Sequence, residues 1–351
     1  MTKKRIIRIL PLLFAIGVAI YFFSRIDLRQ ALRYIERIGY FAPLILVPYF
    51  LMSLCDASGW KYAFARSLRM IKIRELLWIR VATEATANSL PAGLAVCETL
   101  KVILLGRRLG IAPSEAAANG IVSKFSLGIS HGLFLILGLG LASEILRENS
   151  VQLIGHGGLE YIGFGVAAIF LLLTLSATLL VFRGDVITSL FGSLQRIPVG
   201  AWRRWLGRHQ DQFHDVDRNL SAVSQLPTRQ MALSVALYFS GWFSAALENY
   251  LILTLLGAHA SFSQCISLEA VISIVRLMFF FIPSSIGVQE VIYFTMFRGF
   301  GFPDGDAIAA AFIIIKRLKE ICWIAIGYAL LSIFHVPVAT IKAETGKALS
   351  S

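Results

Sequence analysis

Along most of this chain the apolar residues neither alternate nor keep to one helical face; they run on. Long apolar stretches cover about 6–24, 40–58, 115–142, 159–182, 230–256 and 304–334. A helix needs roughly 20 such residues to cross a ~30 Å hydrocarbon core, so the pattern predicts six membrane-spanning helices. Two further stretches, about 76–106 and 262–300, are apolar but interrupted. Asn88-Ser89-Leu90-Pro91-Ala92-Gly93 breaks the first and Phe281-Ile282-Pro283-Ser284-Ser285-Ile286-Gly287 the second. Proline removes a backbone donor and ends a continuous helix. Within a bilayer such a break survives only where protein or a wet cavity satisfies the freed groups. Both stretches are therefore expected to be re-entrant helical hairpins, entering and leaving on one side. The predicted fold is an all-α polytopic membrane protein, one transmembrane domain over 1–351.

Composition supports this and removes soluble classes. Hydrophobic residues make up 57% and charged residues 15%, with mean hydropathy +0.72; soluble domains carry about 25% charge. A net charge of +12 would suggest nucleic acid in a soluble chain, but here the basic residues gather in particular loops. The stretch 59–75 holds Lys61, Arg66, Arg69, Lys72 and Arg74, and 183–229 holds seven arginines against four aspartates. Lys101, Arg107 and Arg108 follow the first hairpin. In contrast, 143–158 has one arginine and two glutamates, and 257–264 has no charged residue. Positive loops stay on the cytoplasmic side, which places both termini and 183–229 there and gives the two hairpins opposite orientation. The N-terminal apolar stretch resembles a signal sequence but lacks a small-x-small cleavage site, and is expected to remain as the first span. Cys55, Cys97, Cys265 and Cys322 stand far apart and read as small core residues rather than disulfide or metal ligands.

Residues 25–38 break the charge rule, with four arginines on the outside. Leu28, Ala31, Leu32, Ile35 and Ile38 recur at helical spacing while Arg29, Arg33 and Arg37 occupy another face, which predicts an interfacial helix facing lipid phosphates. The connector 202–226 is also amphipathic (Trp202, Trp205, Phe213, Val216), and its His209 and His214 lack the carboxylate spacing of a metal site.

The chain also repeats itself. At an offset of 192, Pro91-Ala92-Gly93-Leu94-Ala95-Val96-Cys97-Glu98 overlies Pro283-Ser284-Ser285-Ile286-Gly287-Val288-Gln289-Glu290. Gly110 and Gly301 follow, then a span with a basic residue inside, Lys124 in one and Lys316-Arg317 in the other. The reading is an inverted repeat, about 40–142 and about 230–334, joined through the connector 183–229. Inverted repeats with broken helices are a transporter architecture whose site lies near the midplane. Ionisable residues inside spans cost roughly 2.5–3.5 kcal/mol each on insertion scales, so they are functional candidates. Glu84 and Asn88 share a helix face, and Arg276 aligns with Glu84, so the halves place opposite charges at equivalent positions, with direct pairing one reading of them. Lys316 and Glu320 form an i,i+4 pair, Glu248-Asn249 is expected to pack against a hairpin, and Gly128-x-x-x-Gly132 reads as close helix packing.

These paired break-and-glutamate segments resemble the lysylphosphatidylglycerol synthase transmembrane, or flippase-like, family, which includes the lipid-flipping half of multiple peptide resistance factor and hopanoid-associated membrane proteins. The resemblance covers nearly the whole chain and implies a bacterial or archaeal membrane, with a bacterial inner membrane the expected location, and translocation of a polar-headed lipid. Residue by residue it points to Pro91 and Glu98, and to Pro283, Gly287 and Glu290; Ala95, Ser284 and Ser285 depart from its glycine-rich pattern. The resemblance does not extend to a soluble aminoacyl-transferase domain, so lipid lysylation is not expected.

No nucleophile triad, zinc motif, Walker loop or dinucleotide fingerprint occurs, so no enzyme activity, cofactor, metal or ATP drive is expected. A lipid translocase is favoured, its headgroup cavity lined by Glu84, Asn88, Pro91, Glu98, Lys124, Arg276, Pro283, Gly287, Glu290, Lys316 and Arg317. The alternatives are a scaffold or accessory protein of a lipid-synthesis system and a membrane enzyme acting on headgroups. Expected partners are membrane lipids, phospholipid by the headgroup chemistry, with a homo-oligomer or a lipid-synthesis enzyme as further partners.

Overall fold

The computed structural model describes residues 28–64, 71–90, 93–154, 157–182, 227–278 and 287–336. The expected first span, Arg25, the connector 183–226, Pro91 and Pro283 lie outside them. Ten α-helices and no strands are present among the described residues. They are α1 Leu28–Glu36, α2 Leu46–Tyr62, α3 Ile73–Ser89, α4 Gly93–Leu109, α5 Pro113–Ile154, α6 Leu159–Phe182, α7 Thr228–Leu255, α8 Phe262–Met278, α9 Val288–Gly299 and α10 Gly305–Ile333. The all-α reading from the apolar pattern holds.

Four helical stretches are long and apolar enough to cross a membrane: Gly39–Tyr62, Pro113–Glu148, Glu160–Val181 and Thr228–Leu255. The helix α10 has the length, 29 residues, but carries Lys316, Arg317, Lys319 and Glu320 in its middle. Helix α5 corrects one boundary. It runs 42 residues, so most of the expected outer loop 143–158 is helical. Glu144, Arg147 and Glu148 are good helix formers, and no glycine or proline intervenes until Gly155.

Local chemistry explains the breaks. Leu90 turns to extended backbone at the end of α3, φ −110° and ψ 144°, as the residue before a proline is sterically driven to do. Gly287 adopts φ +87°, a conformation open to glycine at little cost. Its N–H donates to Glu290 Oε2 at 2.7 Å, so this glutamate caps the start of α9.

The packing is reciprocal. Helices α2 and α7 lie together at the centre; α5 packs on α4 and on α8, and α10 packs on α9 and on α3. Glycines let both long helices approach closely: a Cβ at Gly138 would collide with Ala270 Cβ, and one at Gly327 would meet Ala85 Cβ at 2.5 Å. Gly128 and Gly132 likewise face Thr174 and Leu171 of α6, the close packing expected of that pair. The spacing of 192 recurs in the fold, since α5 and α10 start 305 − 113 = 192 residues apart.

The amphipathic segment 25–38 gives α1, and Arg33 and Arg37 are exposed. Its apolar side does not face lipid alone, because Tyr34, Ile35 and Ile38 pack on the protein core and Tyr34 Oη donates to Asp304 at 3.2 Å. Cys97 and Cys265 are buried, Cys55 is half-buried, and Cys322 is exposed on α10, which corrects the expectation that all four sit in the core.

Candidate functional site

The sequence reading placed one polar cavity where two hairpins meet. The structure separates the charged residues into two clusters, bridged by α5 and α10 rather than joined hairpin to hairpin. The first is open. Helices α2, α3, α4, α5 and α7 enclose a cavity of about 750 Å³, within the ~300–1,000 Å³ range of small-molecule sites. Its charged lining is Asp56, Arg80, Glu84, Glu98, Lys101 and Lys124, three acids and three bases, and Trp60, Tyr238 and Trp242 supply aromatic walls.

Each charge is held by a short path. Arg80 donates to Asp56 Oδ2 at 2.5 Å and to Ser53 Oγ at 2.8 Å, and lies 4.0 Å from Glu84. Glu98 accepts from Lys101 at 2.9 Å and Lys124 at 2.8 Å. Trp60 Nε1 donates to Asn119 Oδ1, and the Lys101 ammonium sits 5.8 Å over the Trp60 ring. The Glu98 and Glu84 side chains remain 34% and 30% accessible and that of Lys124 45%, so the cavity presents both signs of charge to whatever enters.

The second cluster is closed. Glu269 accepts from Asn249 at 2.9 Å and from Arg276 at 3.2 Å. Lys316 donates to Asn249 Oδ1 at 2.7 Å and lies 3.5 Å from Glu248. Lys319 donates to both oxygens of Glu248 at 2.9 Å. Arg317 bridges Glu290 at 2.6 Å and Glu320 at 2.8 Å. Four acids meet four bases here: Glu248, Glu269, Glu290, Lys316 and Lys319 are buried, while the side chains of Arg276, Glu320 and Arg317 keep 38%, 34% and 27% access, and Tyr293, Phe297 and Phe312 fill the neighbouring space.

Of the expected cavity residues, Glu84, Glu98 and Lys124 line the cavity. Arg276, Glu290, Lys316 and Arg317 belong to the closed cluster, Gly287 caps α9, and Asn88 is exposed at the end of α3. Arg276 does not reach Glu84; its partners are Glu269 and Gln289. Glu320 pairs with Arg317 rather than Lys316, because Lys316 turns inward to Asn249 and Glu248. That contact, and the bond from Asn249 to Glu269, seat Glu248-Asn249 against the second hairpin as expected.

Asp56, Arg80, Lys101, Trp60 and Tyr238 were missed from the sequence. Three carried a signal. Asp56 stands 192 residues before Glu248, Arg80 four before Glu84, and Lys101 three after Glu98. Trp60 and Tyr238 are indistinguishable in sequence from other apolar span residues. Among the described residues no group of His, Cys, Asp and Glu could hold a metal ion.

A model of the family described as lysylphosphatidylglycerol synthase TM region matches residues 8–315. No curated protein and no solved structure matches the chain.

Proposed function

The chain belongs to the lysylphosphatidylglycerol synthase TM-region family, and from that premise we propose that it moves a polar-headed membrane lipid between leaflets. Membership gives a membrane, lipid-related role; the movement itself and its route are our reading. The headgroup passes through the charged cavity of α2–α5 and α7 while the acyl chains stay in the bilayer. One observation carries this: a large cavity lined by both signs of charge in a chain otherwise built of apolar helices. Ionisable groups are costly at membrane depth and mark pathways.

The charge pattern favours a headgroup with a phosphate and an ammonium. Lys124 and Lys101 offer charge-assisted bonds to phosphate, and Glu84 and Glu98 offer them to the ammonium; such bonds are the strong ones where water is scarce. The aromatic walls add a cation–π surface for the ammonium. No covalent chemistry is required, so the protein acts without being an enzyme. From the family we propose a bacterial inner membrane, and from the basic loops that 183–229 and both termini are cytoplasmic. The two halves are read as inverted copies, of which the first carries the path.

Purified protein reconstituted into liposomes with fluorescent phosphatidylethanolamine tests the reading through dithionite protection. The parent chain is expected to equilibrate the label between leaflets, and Lys124→Gln to slow it by about tenfold, the loss of about 1.4 kcal/mol. A parent rate equal to that of protein-free liposomes overturns it. The scaffold reading draws on the closed second cluster, and it predicts that outcome.

A further inference from the structure

The cavity of the first half is not equally closed on all sides. Its walls on α2, α3 and α7 are mostly shut away, with Asp56, Trp60, Arg80 and Tyr238 buried. On α4 and α5 the lining residues Glu98, Val102, Ile103, Ala117 and Ile121 are half-buried and Lys124 is exposed. Accessibility therefore rises toward the seam between α4 and α5, which places the mouth there among the described residues. The end of that seam at the turn 110–112 is sealed. Leu105, Ile111 and Ala116 are buried there in one apolar cluster, and the Ile111 N–H donates to the Leu105 carbonyl at 3.3 Å.

Helix α6 gives the depth of the mouth. Gly128 and Gly132 of α5 face Thr174 and Leu171 of α6, so the two helices run antiparallel and Lys124, four residues before Gly128, lies level with Thr178. The apolar span of α6 is Glu160–Val181, and Thr178 stands within one turn, about 5 Å, of its end. The mouth thus sits where hydrocarbon gives way to lipid headgroups. Leu94, on the same face of α4 as Glu98, is 64% exposed, so this face of α4 belongs to the apolar outer surface. An ion pair runs across the seam, with Lys124 Nζ 2.8 Å from Glu98 Oε1. It is far more accessible than the Arg80–Asp56 pair deeper in the cavity. An accessible pair contributes little to stability, so opening it costs the fold little.

We propose that the seam between α4 and α5 is a lateral entrance for a phospholipid from the surrounding leaflet, and that the Glu98–Lys124 pair is its latch. The headgroup splits the pair, its phosphate taking Lys124 and its ammonium taking Glu98. Each side chain exchanges one opposite charge for another, so neither is left uncompensated during entry. The acyl chains trail outward over Val102, Ile103 and Ile121, the apolar rim. Charge complementarity and depth both select this occupant: a zwitterion carried at headgroup level meets the latch directly, whereas the end of the seam at the turn is sealed. This deepens the transport reading above and rests on it for passage onward, while entry is measured separately.

The test uses the full chain in liposomes containing a phosphatidylethanolamine with a diazirine in its acyl chain, and labelled peptides are read by mass spectrometry after irradiation. A diacylglycerol with the same acyl chains is the headgroup-free comparison. Leu172 and Leu173, exposed on α6, report ordinary lipid contact. Relative to α6, the phosphatidylethanolamine probe is expected to label the peptides of Ile103 and Ile121 about tenfold more than the diacylglycerol does, as one bond to a charged group is worth. Lys124→Gln is expected to remove that preference. Equal labelling by the two probes in the parent chain means ordinary lipid contact only and overturns the entrance without any variant. A preference that survives Lys124→Gln, in protein that melts like the parent, overturns the latch. Preferential seam labelling without lipid movement supports the lipid site and overturns transport. Lipid movement without seam labelling overturns the entrance and leaves the transport reading standing.

Discussion

The two halves carry the same kinds of residue at the same spacing, yet one holds a cavity and the other a plug. Set 192 residues apart, Asp56 corresponds to Glu248, Glu98 to Glu290 and Lys124 to Lys316. Both clusters balance acids against bases. They differ in what surrounds the charges. Gly120, with nothing near a would-be Cβ, corresponds to the fully buried Phe312. Ala116 corresponds to Ile308, Val102 to Phe294 and Lys101 to Tyr293. Large side chains therefore occupy in the second half the volume that is open in the first. Glu290 is turned to capping α9 and holding Arg317, whereas Glu98 faces the cavity between two lysines. A charge pattern alone does not make a site; the volume beside it decides whether a ligand or a neighbouring side chain answers the charge.

The largest expected effect lies in the closed half. Glu269→Ala leaves Lys316 buried with a partner missing and takes the carboxylate from half-buried Arg276, and removing one member of a buried pair costs about 3–5 kcal/mol. Thermal melting in detergent should show a drop of several degrees or loss of folded protein. An unchanged melting temperature would mean that the closed cluster does not hold the fold.

Gly120→Phe converts the first half to the composition of the second. The aromatic ring fills the cavity and removes no charged residue, so lipid movement should fall by about tenfold or more, a cost of at least about 1.4 kcal/mol. Melting should stay near that of the parent. A variant that transports normally would sharpen the comparison against us, since the path would then lie outside this cavity.

The smallest effect concerns α1. Arg33 and Arg37 are exposed, and Arg37 stacks 5.0 Å from the Tyr34 ring. Changing both to Gln should weaken association of the detergent-solubilised protein with anionic nanodiscs by about 1 kcal/mol per residue. The melting temperature should not move, because the contact of α1 with α10 runs through Tyr34, Ile35 and Ile38. Equal affinity for anionic and neutral discs in the parent would remove lipid recognition from this helix.

The sequence by itself determined the membrane class, the all-α fold and the end of α3 before Pro91. These follow from local physics: an apolar run long enough to cross hydrocarbon, and prolines that no helix interior accepts. It also marked Glu84, Glu98 and Lys124, because a charge in an apolar run stands out without knowledge of its neighbours. Only the tertiary structure decided which charges meet. Arg276 was matched to Glu84 by register, but pairing depends on which helices touch, and α8 packs on α5 and α7 instead of α3. The structure alone also showed that the cavity lies among the charges of the first half, walled on one side by Tyr238, Gly241 and Trp242 of α7. Its volume comes from small residues on α5 facing helices distant in sequence, and no single stretch of chain records the empty space that its neighbours leave.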